Sequence, residues 1–160
     1  MKHTFVRTIF LATLLLSLAA IASAQDFGMC SPFGVAGEWG YSETGTLYLP
    51  SGPVPYVVLG KFTVDLAGNY TGQRTASVGG NISSTNLKGT ITVNSDCTGT
   101  QTISLLDNSG NVTSTATKNL VFVDYAREYF GILTSVTLAN GVSLNSAMTT
   151  TAKKLFPRQL

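Results

Sequence analysis

Residues 89–106 read GTITVNSDCTGTQTISLL, and they spell out one complete β-hairpin. Thr90-Ile91-Thr92-Val93 alternates polar and apolar side chains, Asn94-Ser95-Asp96-Cys97 supplies turn-forming residues, and Gly99 to Leu105 alternates again. Successive side chains of a strand point to opposite faces, so this period predicts a sheet with one face buried and the other in water. A cysteine in the turn predicts a tie to a distant part of the chain.

The pattern occurs a second time just upstream. Gly60-Lys61-Phe62-Thr63-Val64-Asp65, the turn Leu66-Ala67-Gly68-Asn69 and Tyr70-Thr71-Gly72 repeat glycine, threonine, valine and Asp/Asn at the same offsets. A solenoid needs about three or more units, so two copies with unequal turns predict one hairpin solution used twice within one sheet. Working outward, alternation predicts strands over Glu38–Leu49, Tyr56–Val64, Tyr70–Val78, Lys88–Val93 (led in by Ser83–Leu87), Gly99–Leu106, Thr115–Asp124, Glu128–Val136 and Ser143–Ala152. The prolines of Pro50–Pro55 are expected to end the first of these, since proline cannot donate to a ladder. The run Leu120-Val121-Phe122-Val123 suggests burial on both faces. No segment has a 3.6-residue apolar period, and the abundance of Thr, Ser, Val and Gly favours strands. A meander of this kind leaves two unpaired edges unless it closes on itself. The expected fold class is therefore all-β, a single up-and-down antiparallel β-barrel of about eight strands, with a two-sheet β-sandwich as the alternative.

The first 24 residues read as a cleaved signal peptide: Lys2, His3 and Arg7, an apolar run from Ile9 to Ile21, and the small-residue site Ala22-Ser23-Ala24. The organisation that follows is a signal peptide over 1–24, an N-terminal coil over 25–37, a barrel over 38–152 and a basic tail over 153–160. The expected location is secreted or periplasmic, with no membrane span left after cleavage. An exported chain with two cysteines predicts a Cys30–Cys97 disulfide, pinning the N-terminal coil to the 94–98 turn.

Cleavage also changes the function classes that remain open. Lys2 and Arg7 leave, so eight basic residues face eight acidic ones and no basic patch for nucleic acid survives. His3, the only histidine, leaves as well. Without it a Ser-His-Asp or Cys-His site, a His-ligated zinc and a His-ligated haem are excluded. No catalytic residue, cofactor or metal is expected; carboxylate or tyrosine acid–base chemistry stays open.

Gly89 to Thr100 resembles the signature of a family of small exported bacterial proteins whose function is unknown. The Gly60–Gly72 hairpin is similar to a second element of that family, Gly-Lys/Arg-Phe-Thr-Val-Asp-x-x-Gly-Asn-x-Thr-Gly. Val123-Asp124-Tyr125-Ala126-Arg127-Glu128 is similar to a third, Val-Asp-x-x-Glu, with one extra residue. The resemblance implies a fold similar to the allene oxide cyclase-type, calycin-like barrel. That shape hosts some natural-product cyclases, but none of their catalytic motifs is found here, so the resemblance bears on fold and export.

Trp39, Tyr41, Phe62, Tyr70, Phe122, Tyr129 and Phe130 supply large rings, either to fill the core or to line a pocket. On the second reading the ligand-binding residues are Trp39, Tyr41, Glu43, Phe62, Phe122 and Phe130, and the partner is a small apolar molecule. Glu43 shares a face with Trp39 and Tyr41, so its carboxylate needs either a buried cation or a raised pKa. The functions that follow are a barrel binding a small, largely apolar molecule or serving as a surface interaction module. A cyclase- or isomerase-like enzyme using a carboxylate is the alternative, and a small outer-membrane barrel the remaining one. The oligomeric state leaves no mark on the sequence.

Overall fold

The computed structural model of the chain describes residues 29–155. The expected signal peptide, the start of the coil and the end of the tail lie outside them. Strand follows strand: β1 Gly37–Leu49, β2 Gly52–Val64, β3 Asn69–Val78, β4 Asn81–Val93, β5 Thr98–Leu106, β6 Val112–Val123, β7 Glu128–Leu138 and β8 Asn145–Lys154. Each pairs antiparallel with the one before it, and β1 closes on β8 from Trp39↔Lys154 to Tyr48↔Asn145. The result is a closed eight-stranded up-and-down barrel. The sandwich alternative fails because closure removes the edges two sheets would keep.

Period-two alternation explains both faces of the wall. Outward threonines and serines pair across strands, with hydroxyl oxygens 2.7 Å apart at Thr90/Thr102, 2.6 Å at Thr92/Thr100 and 3.1 Å at Ser42/Thr151. Inward positions carry the core. The two copies of the hairpin motif become β2–β3 and β4–β5 of the one sheet. Their inward glycines have a common use. A Cβ on Gly60 would lie 2.5 Å from the Tyr41 ring, and one on Gly89 would lie 2.6 Å from the Tyr70 hydroxyl. The motif's glycines are the hollows into which neighbouring rings fit.

Several elements differ from the sequence expectation, each for a physical reason. The N-terminal segment is not coil throughout: Pro32–Val35 forms one helical turn, α1, capped by the Ser31 hydroxyl. β2 begins at Gly52 and runs through Pro53 and Pro55. Here the β3 ladder begins only at Tyr56, and the Pro55 carbonyl accepts the Gly79 N–H at 2.9 Å, so the prolines fall where β2 leaves that ladder. β4 begins at Asn81 rather than Lys88, directly after the Gly79-Gly80 turn. β8 extends to Lys154, so Lys153 and Lys154 belong to the barrel wall and not to a tail. The Leu120–Val123 run is buried on one face only: Leu120 and Phe122 point in, while Val121 is exposed. Finally, a bulge in β7 opposite Thr117/Lys118 lets Leu133 and Val136 both turn inward.

Candidate functional site

The barrel interior divides into three levels along its axis. At the end carrying the β2–β3, β4–β5 and β6–β7 turns, aromatic rings close it. Trp39, Phe62, Tyr70, Phe122 and Tyr129 are all buried, with centroids 5.4 Å apart for Trp39/Tyr129, 5.1 Å for Phe62/Tyr70 and 5.6 Å for Phe122/Tyr129. α1 lies over this plug. Its Val35 is fully buried, and the Val35 carbonyl accepts the Trp39 indole N–H at 2.8 Å. The Lys154 ammonium donates to the carbonyls of Gly34 and Ala36 at 2.6 and 2.9 Å. The Cys30–Cys97 disulfide ties the same segment to the β4–β5 turn.

The middle level is polar. Glu43 on β1 and Lys118 on β6 meet across the interior, Nζ to Oε2 at 2.7 Å, with both side chains almost wholly buried. The Lys118 ammonium also lies 5.5 Å from the centre of the Tyr41 ring. Burial pulls the Lys118 pKa below its ordinary value, and the Glu43 carboxylate opposes that fall. Arg74 enters from β3 and donates through Nη1 to the Tyr56 hydroxyl. Burial raises the pKa of both Tyr41 and Tyr56, with the Arg74 charge opposing it in each case. Gln101 is buried beside the Tyr129 hydroxyl, 3.5 Å from it.

The third level is a cavity of about 170 Å³, at the end carrying the β1–β2, β3–β4, β5–β6 and β7–β8 connections. Its walls are apolar, with Leu47, Val78, Ile103, Leu105, Val136 and Met148 among them, and Glu43, Tyr56 and Arg74 reach it from the polar level. The one carboxylate that reaches the cavity, that of Glu43, is bonded to the Lys118 ammonium.

The sequence-derived site residues separate accordingly. Glu43 lines the cavity. Tyr41 sits at the polar level against Lys118. Trp39, Phe62 and Phe122 belong to the plug and do not line the cavity, so for them the core-filling reading holds. Phe130 points outward beside Val121 and Ile132, which corrects its placement inside. Sequence reasoning missed Lys118, Arg74 and Tyr56. The available signal was the one that singled out Glu43: Lys118 interrupts the inward stripe Ala116-Leu120-Phe122, and Arg74 interrupts Tyr70-Gly72-Ala76-Val78.

No protein-family model matches this sequence, and no curated protein matches it. Among solved structures, the chain is similar to a redesigned β-barrel, mFAP1, bound to DFHBI, at 13% identity and a TM-score of 0.49, over 78% of this chain and 98% of that one. It is also similar to a second redesigned barrel, mFAP0, bound to DFHBI, at 16% identity and a TM-score of 0.44, over 75% of this chain and 98% of that one.

Proposed function

We propose that this protein is an exported, non-catalytic barrel that takes one small, largely apolar molecule into the cavity opposite the aromatic plug. The observation that carries this reading is the uneven filling of the interior. One half is packed solid with rings, whereas the other keeps an apolar hollow of about 170 Å³. Drug-sized ligands occupy about 300 Å³ or more, and a dry apolar cavity of about 150 Å³ accepts benzene. The expected ligand is therefore of single-ring or short-chain size. The Glu43–Lys118 bond favours binding over chemistry, because a carboxylate already accepting from an ammonium is a weak base. The outward residues of β3 and β4, such as Thr71, Gln73, Thr75, Asn86, Lys88 and Thr90, differ from the apolar band of a lipid-facing barrel. The disulfide fits an oxidising compartment.

Methyl NMR tests the proposal. Met148 lines the cavity, and Met29 is exposed in the segment that bears Cys30, at the plugged end. Titration with toluene, indole or cyclohexane should shift the Met148 methyl signal saturably and leave Met29 in place. Leu105→Trp, which fills the cavity, should remove the response. A Met148 signal that none of these molecules moves would overturn the proposal.

A further inference from the structure

Resting on that reading, we infer that the ligand is an amphiphile with an acidic group, a carboxylate in the simplest case, and that Arg74 with Tyr56 receives this group. Three charged side chains meet at the polar level and the cavity among the described residues: Glu43, Arg74 and Lys118. Glu43 and Lys118 neutralise one another at 2.7 Å. Arg74 has no carboxylate within ion-pair distance among the described residues, so the polar level holds one surplus positive charge at the edge of an apolar cavity. The eight acidic residues expected to remain after cleavage match the basic ones in number, yet among the described residues no carboxylate besides Glu43 is placed inside.

The hydrogen bonds point the same way. Arg74 spends Nη1 on the Tyr56 hydroxyl, while its Nε is shielded from solvent and has no acceptor. An unmet donor on a half-buried cation is costly, and a guanidinium fork is built to meet two oxygens at once. Tyr56 accepts from Arg74, which leaves its own proton free for a second acceptor on the cavity side. Besides Tyr56 and Arg74 the lining carries two oxygen-bearing side chains, Glu43, whose Oε2 is bonded to Lys118, and Ser114, and neither is hydrogen-bonded to Tyr56; the remaining walls are apolar. A carboxylate attached to a short apolar body would answer the surplus charge, the orphaned Nε and the Tyr56 proton together. Its body would lie against the hydrocarbon walls.

The test compares ligands that share a body and differ in the head. 4-Methylbenzoate and 4-methylbenzamide are titrated against the wild-type protein at neutral pH, with the Met148 methyl signal as readout. The acid should bind at least tenfold more tightly than the amide. Arg74→Met keeps an unbranched apolar stem and removes the charge; it should abolish that preference, read as the ratio of acid to amide affinity. Tyr56→Phe should reduce the acid-over-amide preference severalfold, and it serves if Arg74→Met fails to fold. An acid and an amide that bind wild type equally would overturn the inference and leave the apolar-binding proposal standing. Failure of both, together with the neutral hydrocarbons, would overturn both.

Discussion

At the residue scale the Glu43–Lys118 pair is the most consequential interaction, because two opposite charges are held out of water at 2.7 Å. Their attraction and their lost hydration nearly cancel, so the pair adds little stability, but either partner left alone is expensive. Lys118→Met and Glu43→Leu alone should each destabilise by about 3–5 kcal/mol, and the double variant should return close to wild type. Urea denaturation midpoints of the three variants check this; additive losses would mean that the two groups are solvated independently. Burial also raises the pKa of Tyr41, Tyr56, Tyr70 and Tyr129 above the usual 10.0. A tyrosine that ionises less readily when folded stabilises the fold fully below about pH 10 and loses that contribution as pH rises further. Absorbance at 295 nm should therefore show these tyrosines ionising together with alkaline unfolding, and not before it. The need for a partner was legible at Glu43, since a carboxylate on an aromatic face demands one. Its identity was not, because alternation places a residue inside without saying what faces it 75 positions later across a barrel.

At the element scale the turns decide register. The β2–β3 turn binds itself twice, with Asp65 N–H donating to the Asn69 carbonyl at 2.8 Å and Gly68 N–H to the Asp65 carbonyl at 3.1 Å. The same pair of bonds recurs at Asn94–Thr98 and Asp107–Asn111. In each case the fourth residue is left-handed: Gly68 at φ 83°, Cys97 at φ 66° and Gly110 at φ 85°. Gly68→Val should cost more than about 1 kcal/mol, because a side chain is strained at that φ and its Cβ would also lie 2.5 Å from the Ile91 carbonyl oxygen. An unchanged denaturation midpoint would contradict this. The Asn69 side chain, followed by backbone N–H groups, holds the Asp65 carboxyl below the usual carboxylate range, so the turn's contribution is lost as pH falls below about 4. Strand identity and order were readable because turn residues and period two agree along most of the chain. The inside of β7 was not: Tyr129-Gly131-Leu133 and Phe130-Ile132 are both apolar stripes, so parity had nothing to choose between. The prolines misled in β2 because their effect depends on whether a neighbour lies on that side, which is a property of the sheet and not of the strand.

At the scale of the whole molecule, the disulfide joins positions 67 apart and so restricts the unfolded chain more than any local contact can. On the chain-entropy view its reduction should cost about 4 kcal/mol. Cys30→Ser should lose about that amount, while Cys97→Gly should lose less, because glycine relieves the left-handed backbone at that turn. Equal losses in the two variants, read from urea midpoints, would mean that the left-handed backbone at Cys97 costs nothing. The emission of Trp39, whose indole is anchored to the α1 carbonyl of Val35, should shift to the red when the bond is reduced. Closure of β1 on β8 has one more effect. Gly37 and Lys154 both stand at the plugged rim, where Trp39 faces Lys154 across the seam. Whatever is joined to the barrel through either backbone end, whether a tether, a fusion partner or a solid support, therefore hangs from its sealed base. The cavity lies at the other end, so a tether joined at Gly37 or Lys154 leaves the barrel on the side away from it.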